Sequence, residues 1–253
     1  MTENTKFQMQ ESQYKFPYHY IPYFKQDGTP TVVRSLCWGI EYLCYQKYLN
    51  KKIKDMNPNS VLDIGCGDGY VIGNLPSSIS QRVGCDLSSK AIAFAKAFWP
   101  DCQFYDRDAK SIKGKFELVV AIEVLEHIPD ESVTEFIHVL ADKVVDNGRV
   151  IISVPTTVIP VNKKHYRHYT LELLKQQLQQ SETGLEIETA EYVYSKPWWI
   201  GVITRLVSNP FFCLEVKFIM RAVWRNIWRN YLITDKDKGH RLIATLKRSD
   251  TVI

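Results

Sequence analysis

Two short clusters in this chain combine residue types and spacings suited to moving protons or holding a metal. One is Glu123-Val124-Leu125-Glu126-His127, with two carboxylates and an imidazole inside five residues; the other is His165-Tyr166-Arg167-His168. Histidine titrates near neutrality, so His127, His165 or His168 can act as a general base at physiological pH, with Glu123 alongside. Glu123, Glu126, His127 and His165 or His168 also form a mixed carboxylate and imidazole set of the kind that binds Mg²⁺, Mn²⁺ or Zn²⁺ and lowers the pKa of adjacent hydroxyls. A plainer role is that Glu126 and His127 cap the following helix or bond to the backbone.

A second pattern is built for binding. Val61-Leu62-Asp63-Ile64-Gly65-Cys66-Gly67-Asp68-Gly69 passes from an apolar run through an acid into three alternating glycines. Such a run reads as a buried parallel strand turning tightly into a helix. Glycine allows φ and ψ closed to other residues and lets a ligand approach the backbone. Roughly twenty residues beyond such a loop, an acid can accept hydrogen bonds from ribose hydroxyls, and Asp86 stands there. Asp106-Arg107-Asp108 ends the next strand, and Glu123 the one after. A dinucleotide loop seats a pyrophosphate on a helix N-terminus, but Asp63 and Asp68 would repel one. They would attract an α-ammonium or a sulfonium.

The elements that position these residues alternate. Expected strands cover 60–64, 82–86, 102–105, 116–122 and 149–154, with helices near 69–75, 88–98 (Ser88 as N-cap), 131–144 and 170–180. Asp146-Asn147-Gly148 marks a turn before the fifth strand, and 186–194 and 240–247 alternate like an antiparallel edge pair. This is an α/β, Rossmann-like doubly wound fold: a mostly parallel seven-stranded sheet with helices on both faces and an antiparallel last strand. Ligands of such sheets bind at the strands' carboxyl ends. A single domain over 1–253 is expected, with 1–56 as an N-terminal arm and helix capping the substrate side and 195–236 as an insertion between the last two strands. The arm is polar, then aromatic from Tyr14 to Phe24, and expected to be extended; a helix follows over 33–54.

The motifs DIGCGDG, VGCDLS, DRDA and FELVVAIEVLEHI, in that order, resemble the class I S-adenosylmethionine-dependent methyltransferases of the type 11/23-like, small-molecule or glycan kind. The resemblance implies S-adenosylmethionine as cofactor. Asp63, Gly65, Gly67 and Gly69 would surround its methionine part, Asp86 its ribose, Leu87, Asp108 and Ala109 its adenine, with Glu123 at the same edge. The E-x-x-E-H pattern with a later histidine is similar to RNA 3′-terminal ribose 2′-O-methyltransferases, where it implies a divalent metal, and also occurs in ubiquinone-pathway O-methyltransferases. Tyr14 to Phe24, Trp38-Gly39-Ile40-Glu41-Tyr42 and Lys163 to Tyr169 resemble methyltransferases of bacterial surface-glycan pathways. The leading expectation is therefore O-methylation of a sugar or lipid-linked glycan intermediate in polysaccharide biosynthesis. RNA ribose methylation, quinone or small-molecule O-methylation and a non-catalytic cofactor-binding partner are the alternatives.

The substrate side is expected in the insertion. Residues 195–236 hold seven Lys and Arg against two acids, whereas the chain's net charge is only +4. Arg221, Arg225 and Arg229 share one helical stripe beside Trp224 and Trp228. Such a helix can rest on an anionic membrane surface, grip nucleic-acid phosphates, or cap the core or another subunit. The near-neutral remainder argues against a nucleic-acid partner. No uncharged run reaches the ~20 residues needed to span a bilayer. The polar N-terminus reads as lacking a secretory signal, so a cytoplasmic location, peripheral to the membrane's inner face, is expected. Six scattered cysteines, with no CxxC pair, read as buried free thiols.

Overall fold

In the computed structural model, residues 3–11, 24, 26–30, 36–207, 214 and 216–248 are described. Most of the aromatic arm, the side chains of Cys37 and Trp38, and Phe211, Phe212 and Cys213 fall outside them. The chain forms two compact units.

The first unit comprises residues 1–14, 50–191 and 242–253. Its strands are β1 (Ser60–Ile64), β2 (Gln81–Cys85), β3 (Gln103–Tyr105), β4 (Phe116–Ile122), β5 (Val144–Pro155), β6 (Leu185–Val193) and β8 (Arg241–Arg248), in the order β3-β2-β1-β4-β5-β8-β6. The pairs β1–β2, β2–β3, β1–β4 and β4–β5 are parallel. β1 and β4 lie at the centre, and β4 is buried at every residue except Glu117. The apolar run from Leu118 to Ile122 suits a strand covered on both faces.

Helices α3 (Tyr70–Gly73), α4 (Ser89–Phe98), α5 (Val133–Lys143) and α6 (Leu171–Ser181) alternate with these strands. Ser88 caps α4 as expected, its Oγ accepting from Ala91 N–H at 3.2 Å, and Thr170 caps α6 in the same way. Two local expectations change. The first turn is helical: α1 runs Glu3–Glu11, where a polar terminus gave no helical signal. The Asp146-Asn147-Gly148 turn is absorbed into β5 as a bulge. Between the pairs Phe116–Val144 and Leu118–Arg149, one residue of β4 faces four of β5, and Asn147 takes φ 60°.

The second unit comprises residues 15–49 and 192–241. It contains most of α2 (Leu36–Met56), then α7 (Ile200–Val207), α8 (Lys217–Asn230) and the short strand β7 (Ile233–Thr234). Tyr192 and Val193, the end of β6, pair antiparallel with β7. Helix α8 buries Met220, Val223, Trp224 and Ile227 on one face. Trp224 stacks on Trp228, meets Phe24 edge-on, and Lys47 Nζ lies 5.0–5.4 Å from all three rings. Glu41 is bridged by His240 and Arg241 at 3.2 and 3.0 Å. Among the described residues no helix is long and apolar enough to cross a membrane. Cys44, Cys66, Cys85 and Cys102 are free thiols, the first three buried.

Candidate active site

A crevice of about 320 Å³ opens at the carboxyl ends of the central strands in the first unit. Its binding end is built by the glycine loop. Gly65 and Cys66 donate their N–H groups to the carbonyl of Cys85, at 2.8 and 3.0 Å, which ties the loop to the end of β2. Gly65, Gly67 and Gly69 have φ of 75°, 54° and 76°, the left-handed region that side chains disfavour. A Cβ on Gly65 would stand 2.6 Å from Val124 Cγ2, and one on Gly69 2.6 Å from the ring of Phe104. Glycine is thus demanded here by the protein's own side chains.

Asp86 accepts from Gly67 N–H at 2.9 Å and from Ser88 N–H at 2.8 Å, and these bonds fix its carboxylate at the crevice wall. Burial raises its pKa, and the two N–H donors partly offset that. Leu87 lies next to it, 64% exposed, with the outward apolar surface a flat ring can cover. Asp108 and Ala109 line the same crevice, Asp108 accepting from Lys110 N–H at 2.8 Å. Asp63 lies behind the loop, 1% exposed, and its Oδ1 has no hydrogen-bond partner. Burial, then the nearby Asp86 and Asp68 carboxylates, push its pKa up to about 8. A buried acid with one oxygen unpartnered and two acids beside it calls for a cation. That fits a ligand bearing an ammonium or sulfonium and disfavours a pyrophosphate.

The reacting end follows β4. Glu123 has φ 57°, and its Oε1 accepts from Ser153 Oγ at 2.8 Å, a bond from β5 that holds this backbone outlier in place. A 3₁₀ turn, Leu125–His127, then buries Glu126 to 1% exposure and turns His127 to the crevice. The histidine loop packs on this turn: Tyr166 N–H donates to Glu126 O at 2.8 Å, and Arg167 donates to the carbonyls of Leu125 and Ile128 at 2.9 and 2.6 Å. Residues distant in sequence thereby become neighbours. His127 and His165 meet edge-on with ring centroids 4.7 Å apart.

Hydrogen bonds set the tautomers. His127 Nδ1 lies 3.2 Å from Lys164 O, and a carbonyl only accepts, so Nδ1 carries the proton and Nε2 the lone pair. Burial drives the His127 pKa down to about 4, so the ring is neutral at pH 7. His168 Nδ1 donates to Ile159 O at 2.9 Å, leaving its Nε2 to accept from His165 Nδ1 at 2.8 Å. Asn162 Nδ2 in turn donates to His165 Nε2 at 2.9 Å. His168 is buried and does not line the crevice. Of the four residues expected as a metal set, Glu126, His127 and His165 bring ligand atoms within 4.8 Å of one another; Glu123 is not in this group.

Sequence reading missed Lys6, Glu11, Asn162, Lys164 and Arg167. Helix α1 lies along the crevice: Glu11 accepts from Ser88 Oγ and pairs with Lys90 at 3.1 Å. Its Lys6 donates to His165 O at 2.7 Å and sits 4.2 Å from the centroid of the Tyr166 ring. Phe7, Ile128, Pro129, Phe136 and Val139 give the crevice an apolar wall, and of its four cations, Lys6, Arg107, Lys110 and Lys164, the first and last act on His127. For Arg167 the only sequence signal was its place between two candidate histidines; α1 had none.

Comparison with known proteins agrees with this geometry. A family described as a methyltransferase domain matches residues 44–190. Among curated relatives, the ubiquinone biosynthesis O-methyltransferase of Albidiferax ferrireducens is 33% identical over 81 residues, covering 28% of this chain and 32% of that protein. The protein of the same description from Hydrogenovibrio crunogenus is 24% identical over 131 residues, 49% of this chain and 51% of that one. The matches thus span between about a third and a half of these relatives' length. Among solved structures, magnesium protoporphyrin IX methyltransferase of Synechocystis with bound SAH has a TM-score of 0.58 at 15% identity, over 98% of this chain and 96% of that one. A TehB-like SAM-dependent methyltransferase of Corynebacterium glutamicum gives 0.54 at 17% identity, over 79% and 87%. A family match across more than half the chain, on a Rossmann-like sheet with the crevice at its strand ends, shows that this chain belongs to the S-adenosylmethionine-dependent methyltransferase family.

Proposed function

We propose that the protein O-methylates a hydroxyl of an amphipathic small molecule, an aromatic compound of the quinone-precursor type or a lipid-linked one. The observation that carries this reading is His127 at the crevice wall, neutral and with Nδ1 held on the Lys164 carbonyl, so that the lone pair lies on Nε2, 3.9 Å from Glu126 Oε1. The ubiquinone O-methyltransferase relatives and the apolar wall with its four cations support an acceptor that is part apolar and part anionic or polar. Sugar and lipid-linked glycan acceptors offer the same hydroxyl chemistry and belong in the same screen.

S-adenosylmethionine, when bound, supplies an electrophilic methyl group and leaves as the thioether S-adenosylhomocysteine. Asp63 neutralises its cationic methionine end, Gly65, Gly67 and Gly69 let it lie along the loop, Asp86 takes the ribose hydroxyls, and Leu87, Asp108 and Ala109 take the adenine. His127 would take the acceptor hydroxyl's proton at Nε2 as that oxygen accepted the methyl group. His165 and His168 hold the wall behind His127 through their relay, and alignment supplies much of the rate. Glu123, held by Ser153, lines the same edge of the crevice.

One observation favours a second reading of the same step. A base whose pKa is about 4 is weak, whereas a neutral imidazole with its other nitrogen on a carbonyl is prepared to ligate a metal. Glu126, His127 and His165 would hold a divalent cation if Asn162 swung away from His165 Nε2, and that cation would lower the acceptor's pKa.

The test is turnover with methyl-labelled cofactor against polyprenylated phenols, lipid-linked sugars and free sugars, with and without chelator. Labelling of the phenols or lipid-linked sugars is expected. Labelling of free sugars alone would overturn the amphipathic acceptor, and activity lost to chelator and restored by Mg²⁺ or Zn²⁺ would replace the base by the metal.

A further inference from the structure

Among the described residues, the second unit exposes several large apolar side chains. Trp198 is 86% exposed, Phe218 73%, Leu206 67% and Val202 52%. Val202, Arg205 and Leu206 fall on one face of α7, three and four residues apart. Leu214 N–H donates to Val207 O at 2.6 Å, and the exposed Leu206, Leu214 and Phe218 all lie within four residues along the chain of that link. Isolated exposed apolar residues are ordinary; a gathered set marks a contact surface.

The charge around this surface is one-sided. Helix α8 turns Met220, Val223, Trp224 and Ile227 inward and leaves Lys217, Arg221, Arg225 and Arg229 outward. Asp27 pairs with Arg221 at 3.1 Å and Lys217 at 3.4 Å, which leaves Arg225 and Arg229 without an acidic partner among the described residues. Exposed tryptophan, leucine and phenylalanine rimmed by arginine match the boundary of an anionic bilayer, where indole sits at headgroup level and guanidinium meets lipid phosphate. A second copy of this chain would bring the same cations face to face.

We propose that this face of the second unit docks on an anionic lipid surface, with Trp198, Leu206 and Phe218 inserted into the headgroup region and Arg225 and Arg229 on lipid phosphates. The proposal does not depend on which acceptor is methylated. The test is flotation of the full chain with vesicles of phosphatidylglycerol and phosphatidylethanolamine, or of phosphatidylcholine alone. Binding is expected to the anionic vesicles only and to weaken in high salt. Leu206→Ser with Phe218→Ser, and separately Arg225→Glu with Arg229→Glu, should each reduce the bound fraction at least tenfold while the melting temperature and cofactor affinity hold. Equal binding to both vesicle types, or no binding by the unaltered chain, would overturn the proposal. So would a dimer that the Leu206→Ser, Phe218→Ser variant splits without any vesicle binding, which would assign the face to a second copy.

Discussion

Binding of the cofactor should release a proton, and Asp63 should be its source. Burial and the neighbouring Asp86 and Asp68 hold this carboxyl at a pKa of about 8, so at pH 7 it is roughly nine-tenths protonated. An ammonium or sulfonium placed within reach lowers a carboxyl pKa by about 1 to 3 units. The complex then gives up between about 0.4 and 0.9 proton at pH 7, and affinity rises between about fivefold and fiftyfold from pH 6 to pH 8. Calorimetry with S-adenosylhomocysteine, which keeps the α-ammonium, in two buffers of different ionisation enthalpy measures the proton count directly. The Asp63→Asn variant reports the ligand's own titration as the baseline. Equal proton release by both proteins would refute the assignment of Asp63 as the counter-charge. The sign for the free protein is opposite: a folded-state pKa raised from 3.8 to about 8 gives stability that is present below pH 3.8 and lost as pH rises through that window.

Replacing His127 by Ala should lower kcat about 10²- to 10⁴-fold with little change in cofactor affinity, as single-turnover assays and calorimetry would show. Asp86→Ala removes the acceptor for Gly67 and Ser88 and should weaken the cofactor at least tenfold; unchanged affinity would count against the ribose assignment. Gly65→Ala places a methyl against Val124 at a positive φ and should cost about 1–3 kcal/mol in chemical denaturation, with the loss partly relieved by Val124→Ala.

The strands, the glycine loop and Asp86 were legible because each is local: a β-branched run, a glycine spacing and an acid at a strand end. The histidine cluster was legible only as two separate motifs. What joins them is Arg167 reaching the carbonyls of Leu125 and Ile128, and the relay's direction is set by Asn162 and the carbonyl of Ile159, none of which periodicity reveals. Helix α1 was illegible because its contacts are polar and tertiary. At Asp146-Asn147-Gly148 the turn signal was sound, and sheet pairing on both sides converted the turn into a bulge.

Glu11 meets Ser88 beside the proposed ribose end, and Lys6 meets the histidine loop; the two residues are five positions apart on one helix, about 7.5 Å along its axis. A rod held at both points cannot uncover one compartment while sealing the other. Its undocking would therefore act as a shared clock for nucleoside exchange and acceptor arrival, and loosening either contact should accelerate both.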